Sequence, residues 1–177
     1  IIILSLSLNP IVAIDSSNWK EITIEGVNFK IPPQYQSGEL VGDTYMLETV
    51  FDFSIASVNN NSSLKEIYGY ESTIEELNNL ELKEVGGHDT VILHSYRSVC
   101  QHNVSYVFFA VRKSIYTISF NGNKITSEIE EIIKNTPESK ISKDELYKKL
   151  DKAQEDYVQE QIDYDEAYEY SESYREG

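Results

Sequence analysis

The chain has 177 residues, with 15 Lys and Arg against 30 Asp and Glu, a formal net charge of −15 and an isoelectric point near 4.5. That length allows one domain with a proper core plus extensions. The charge argues against nucleic-acid binding, which needs a basic surface, and against electrostatic docking on an anionic membrane.

The first residues read IIILSLSLNPIVAIDSS. The apolar run into Ile11-Val12-Ala13 fits the back half of a signal peptide's apolar region, with cleavage after Ala13. Residues 1–14 are therefore expected to be the remainder of a signal peptide, or else a membrane anchor. A first strand is the third alternative, weakened by Asn9-Pro10, since proline removes a ladder donor. The only cysteine, Cys100, leaves no intramolecular disulfide to form and is neutral on compartment. Asn60, Asn61 and Asn103 each open an acceptor sequon and are candidate glycosylation sites, as suits an exported protein.

From Trp19 to Phe120 the pattern is mostly period two. Ile22 and Ile24, then Val27, Phe29 and Ile31, flank Glu25-Gly26 and predict a hairpin closed by Pro32-Pro33. The stretch TYMLETVFDFSIASV predicts a half-buried strand with Phe51, Phe53 and Ile55 on one face and Asp52, Ser54 and Ala56 on the other. After NNNSS, Ser72 to Glu75 fits a capping box opening a helix with Ile74, Leu77 and Leu80 on its apolar stripe. Gly86-Gly87 predicts a tight hairpin turn. The continuous run from Val104 to Val111 predicts a strand buried on both faces, paired through Arg112-Lys113 with Ile115 to Phe120. Asn121-Gly122-Asn123 ends the sheet.

Ser127 to Glu130 fits a second capping box, and Ile125, Ile129, Ile132 and Ile133 share one face of the helix it opens. Pro137 breaks that helix. Ser142 to Glu145 fits the cap of a third, with a thin stripe of Leu146, Leu150, Ala153 and Tyr157. From Asp151 to Gly177 ten acidic residues stand against two basic ones, a net −8. The organisation expected is thus an export or anchor segment over 1–14, a sandwich domain over 19–136 and a helical extension over 137–162. The Tyr-rich acidic tail over 163–177 reads as disordered and solvated.

All three histidines and the cysteine fall within HDTVILHSYRSVCQH. His88 and His94 share a strand face, but at about 3.3 Å per residue they lie roughly 20 Å apart. Zinc ligands must each come within about 2.3 Å of one ion, so the pair shares no metal. Cys100 and His102, two positions apart on a strand, stand about 6.6 Å from one another, too far for a nucleophile and its base. The stretch is expected to be a hairpin, with His88 at a turn, His94 half-buried and Cys100 in a loop or at a strand end. No metal, no cofactor and no enzymatic activity are expected. Phosphate-cradling glycine loops and serine-hydrolase elbows are absent.

The segments GVNFKIPPQY, EVGGHDTVILHSY and YVFFAVRKSIYTISFNGN followed by ITSEIEEIIKNT resemble, in pattern and order, the PsbP/DcrB-like α/β/α sandwich family over Ile22 to Thr136. The resemblance implies an α+β fold, with a central antiparallel sheet flanked by helices, followed here by a C-terminal helix and acidic tail. It also implies a non-enzymatic role, as in that family's photosystem subunit, small-GTPase partner and envelope lipoproteins. No cysteine stands just after the export-like segment to take a lipid. The function expected is an exported or cell-envelope binding or accessory domain with an unknown protein partner, touching membrane only through an N-terminal anchor. The alternative is a small-ligand binder with a pocket between sheet and helix lined by Tyr45, Phe53, Tyr96 and Tyr106. A third reading, a hydrolase, would need a cleft joining Cys100, His94 and acidic residues.

Overall fold

The computed structural model describes residues 14–58, 80–98 and 100–175. The expected export or anchor segment up to Ala13, the sequons at Asn60 and Asn61, and the helix expected from Ser72 lie outside the described residues.

Strands β1 (Lys20–Ile24) and β2 (Val27–Ile31) form the predicted hairpin, a separate two-stranded sheet. Glu25 and Gly26 both take positive φ, as the primed two-residue turn requires to match strand twist. Pro33–Tyr35 form a 3-10 turn that stacks Tyr35 on Phe53, ring centroids 3.9 Å apart.

The main sheet has seven strands: β3 (Glu39–Val41), β4 (Thr44–Met46), β5 (Phe53–Val58), β6 (Glu81–Val85), β7 (His88–Arg97), β8 (His102–Val111) and β9 (Ser114–Asn121). Their spatial order is β3-β4-β5-β9-β8-β7-β6, and every pairing is antiparallel. With the helices described below, the fold is α+β, as the period-two pattern and the amphipathic segments predict. Residues 44–58 are not one strand, however. Leu47 N–H bonds Phe53 O and the chain turns between β4 and β5. That turn moves Phe51 to the sheet face opposite Phe53 and Ile55. Nor is β5 half-buried: it lies between β4 and β9, and Ser54 and Ser57 are buried along with the apolar positions. Ser54 and Ser119 satisfy each other across β5 and β9 at 2.7 Å, which makes that burial tolerable.

Strand alternation gives the sheet two apolar faces. One carries Phe53, Ile55, Ile92, Val107, Phe109, Ile118 and Phe120, and is covered by the β1–β2 hairpin and by helix α1 (Ser127–Lys134) through Ile129, Ile132 and Ile133. The other carries Val91, Leu93, Val104, Tyr106, Phe108 and Ala110, and is covered by the start of helix α2 (Lys143–Arg175) through Leu146 and Leu150. Strand β8 is buried on both faces from Val104 to Val111, as predicted.

The cap of α1 is Thr126, one residue before the expected Ser127. Its backbone is extended and its Oγ1 accepts from Ile129 N–H at 3.3 Å, whereas Ser127 already lies in the first turn. Ser16 ties the chain start to this helix by donating to Glu131 Oε1 at 3.1 Å. Helix α2 starts at the expected Ser142 cap, whose Oγ accepts from Glu145 N–H. It continues through Arg175, where the sequence predicts a disordered tail from residue 163. Neither proline nor glycine occurs between Pro137 and Gly177, so nothing local breaks it. Pairs four apart such as Gln159 with Asp163, at 2.9 Å, brace it.

Candidate functional site

The histidines and cysteine take separate structural places. His88 is not a turn residue: it is the first residue of β7 and is buried. Its Nδ1–H donates to Ala110 O at 3.0 Å, its Nε2 meets Thr136 Oγ1 at 3.3 Å, and its ring stands edge-on to Phe109. His94 is half-buried in mid-strand, its Nδ1 2.7 Å from Ser105 Oγ and its Nε2 3.3 Å from Glu81 Oε2. Cys100 Sγ points at Arg97 O, 3.8 Å away. Cys100 and His94 therefore engage different partners. Asn103 is exposed near the start of β8.

The Glu81–His94–Ser105 line across β6, β7 and β8 was not visible in the sequence, because it depends on strand register: His94 lies directly opposite Ser105. The three residue types invite comparison with a nucleophile and its base. Ser105 is fully buried, and its Oγ also donates to Gly122 O at 2.7 Å. That oxygen is thus engaged by His94 and Gly122, and the line ties three strands together. Among the described residues no three His, Cys, Asp or Glu side chains stand close enough to share a metal ion.

The aromatic set expected to line a pocket is dispersed. Tyr45 and Phe53 pack on the α1 side of the sheet and Tyr106 on the α2 side, while Tyr96 is 54% exposed. Alternation along the strands sends them apart. The α2-covered face holds a different feature, the fully buried Arg97. Its Nε and Nη2 donate to Tyr106 Oη at 3.1 and 2.8 Å, and its guanidinium lies 5.7 Å from the Phe51 ring centroid. Among the described residues its Nη1 is buried with no hydrogen-bond partner, as are Thr117 Oγ1 and Tyr147 Oη.

The second feature is α2 itself. At 1.5 Å per residue its 33 residues span about 50 Å. Leu146 and Leu150 are buried and Tyr157 is half-buried against the sheet. Seven residues after Tyr157, and four more beyond, Tyr164 and Tyr168 continue the same stripe. Both are exposed, at 68% and 56%, with Ile162 nearby at 45%. The side that docks on the sheet thus continues beyond Tyr157, the last described α2 residue in the sheet-face cluster, between acidic neighbours Asp163, Asp165 and Glu166. No described helix is long and apolar enough to cross a membrane.

No protein family, no curated protein and no solved structure matches this chain.

Proposed function

We propose that the chain is a non-catalytic binding or accessory domain of the PsbP/DcrB-like kind, working outside the cytoplasm at the cell envelope. The export-like residues 1–14 and the order of elements support that setting. The observation that carries binding is the continuation of α2's docking stripe onto exposed Tyr164 and Tyr168. Amphipathic tyrosines on a rigid helix suit recognition. The acidic flanks select a basic partner surface, and a second copy of this helix would bring like charges together. Tyr164→Ala/Tyr168→Ala is expected to keep the melting temperature and to lose salt-sensitive capture of a basic protein from the source envelope fraction. Undiminished capture by that variant would move the contact elsewhere.

A small-ligand binder is the second reading, favoured by Arg97. Its buried Nη1, unpartnered among the described residues, suits a carboxylate held on the α2-covered face. The readout for that ligand is a melting-temperature rise with carboxylates that Arg97→Met abolishes.

A further inference from the structure

Three connections converge at one end of the sheet: the β1–β2 turn, the β8–β9 turn and the link between α1 and α2. They enclose a recess of about 320 Å³ with Val27, Val111 and Tyr116 in its wall and Arg112, Lys113 and Lys140 around it. The arrangement is pinned through Arg112, whose N–H donates to Glu138 O at 3.1 Å and whose carbonyl accepts from Lys140 N–H at 2.6 Å.

Two further observations concern charge and strain. Arg112 has φ +54°, the left-handed region that glycine enters at no steric cost. The backbone is therefore strained while the turn carries a guanidinium. None of the three cations pairs with a carboxylate among the described residues. Glu25 is the one carboxylate among the described residues lining the recess, and its Oε2 already accepts from Ser57 Oγ at 2.8 Å. Tyr116 keeps its proton: burial, then the charge of Glu25, raises its pKa against the pull of Arg112. Its hydroxyl donates to Ile24 O at 3.3 Å. In a chain of net charge −15, this recess gathers three cations against one anion.

We propose that the recess binds a small organic phosphate monoester, its phosphate held by Arg112, Lys113 and Lys140 and its body resting on Val27, Val111 and Tyr116. A dianion matches the excess of cations better than a monocarboxylate does. A planar guanidinium can give a phosphate two parallel bonds, and the ammonium groups add point charges. The apolar wall rewards an ester over the free ion. This site is separate from the tyrosine stripe of α2, so each can fail without the other.

Calorimetric titration of the full chain with phenyl phosphate, inorganic phosphate and benzoate tests the assignment. Phenyl phosphate is expected to bind at least about tenfold more tightly than either of the others, and Arg112→Gln or Lys140→Gln to weaken it about tenfold. Arg112→Gly is expected to raise the melting temperature by relaxing the turn while abolishing the binding, which separates loss of the site from loss of the fold. Equal affinity for inorganic phosphate would overturn the ester in favour of free phosphate. Equal affinity for benzoate would overturn the phosphate. Unchanged binding by Arg112→Gln, or no binding of any probe at millimolar concentration, would overturn the site.

Discussion

Arg97 places a permanent charge where water does not reach, and among the described residues it meets the phenol of Tyr106 and the ring of Phe51 rather than a carboxylate. Tyr106 Oη takes two of its donors, so removing that hydroxyl strands both. Tyr106→Phe is expected to cost about 3 kcal/mol, more than the roughly 1 kcal/mol of an ordinary hydrogen bond. Arg97→Met, apolar and of similar length, is expected to be near neutral, because it removes the desolvated charge along with its bonds. In that background Tyr106→Phe should cost under about 1 kcal/mol. Urea denaturation of the four proteins reads the coupling. Costs that add within about 0.5 kcal/mol would show that the charge is satisfied elsewhere. Nothing in SYRSV marked Arg97 as buried. Polar and apolar residues alternate cleanly only where one strand face is wet, and much of β7 is covered on both sides. His88 differs for a related reason: its position beside Gly87 reads as turn, while its neighbours are Phe109, Ala110 and, just past α1, Thr136, all distant in sequence.

Turns and helix ends show the same division between local and distant causes. Gly86-Gly87 was legible as a hairpin turn, since both take positive φ, +59° and +83°. Its docking on α1 was not. A Cβ on Gly86 would lie 2.7 Å from both Glu130 O and Lys134 N, whereas one on Gly87 meets open space. Gly87→Ala is therefore expected to cost about 1–2 kcal/mol, the strain of a left-handed residue with a side chain. Gly86→Ala carries that strain and must also displace the helix, at about 2 kcal/mol more. Equal midpoints for the two variants in denaturant would place the turn clear of α1. The β4–β5 turn escaped notice because MLETVFD contains neither glycine nor proline. Its closure rests on hydrogen bonds involving Thr49 and Asp52.

At the scale of the whole molecule, the antiparallel sheet with covering helices followed from hydrophobic period, which burial imposes on any sequence that folds this way. The strand order did not follow, since β5 and β6 are successive among the described strands yet stand four pairings apart. The candidate surfaces were least legible of all. Arg97 and the recess at Arg112 each depend on elements meeting across the chain. The sequence's charge distribution nonetheless bears on α2. Beyond Tyr157 it is helical with its described side chains largely exposed, so packing contributes little there and local terms decide. Like charges three or four apart, such as Asp156 with Glu160 and Asp163 with Glu166, each oppose the helix by about 0.2–0.5 kcal/mol. Salt shortens the reach of that repulsion from about 30 Å at 0.01 M to about 3 Å at 1 M. Raising NaCl across that range is therefore expected to increase the helical circular-dichroism signal at 222 nm. Asp163→Asn/Glu166→Gln should start higher at low salt and respond less. A signal indifferent to both salt and neutralisation would mean that packing rather than local charge holds the distal helix.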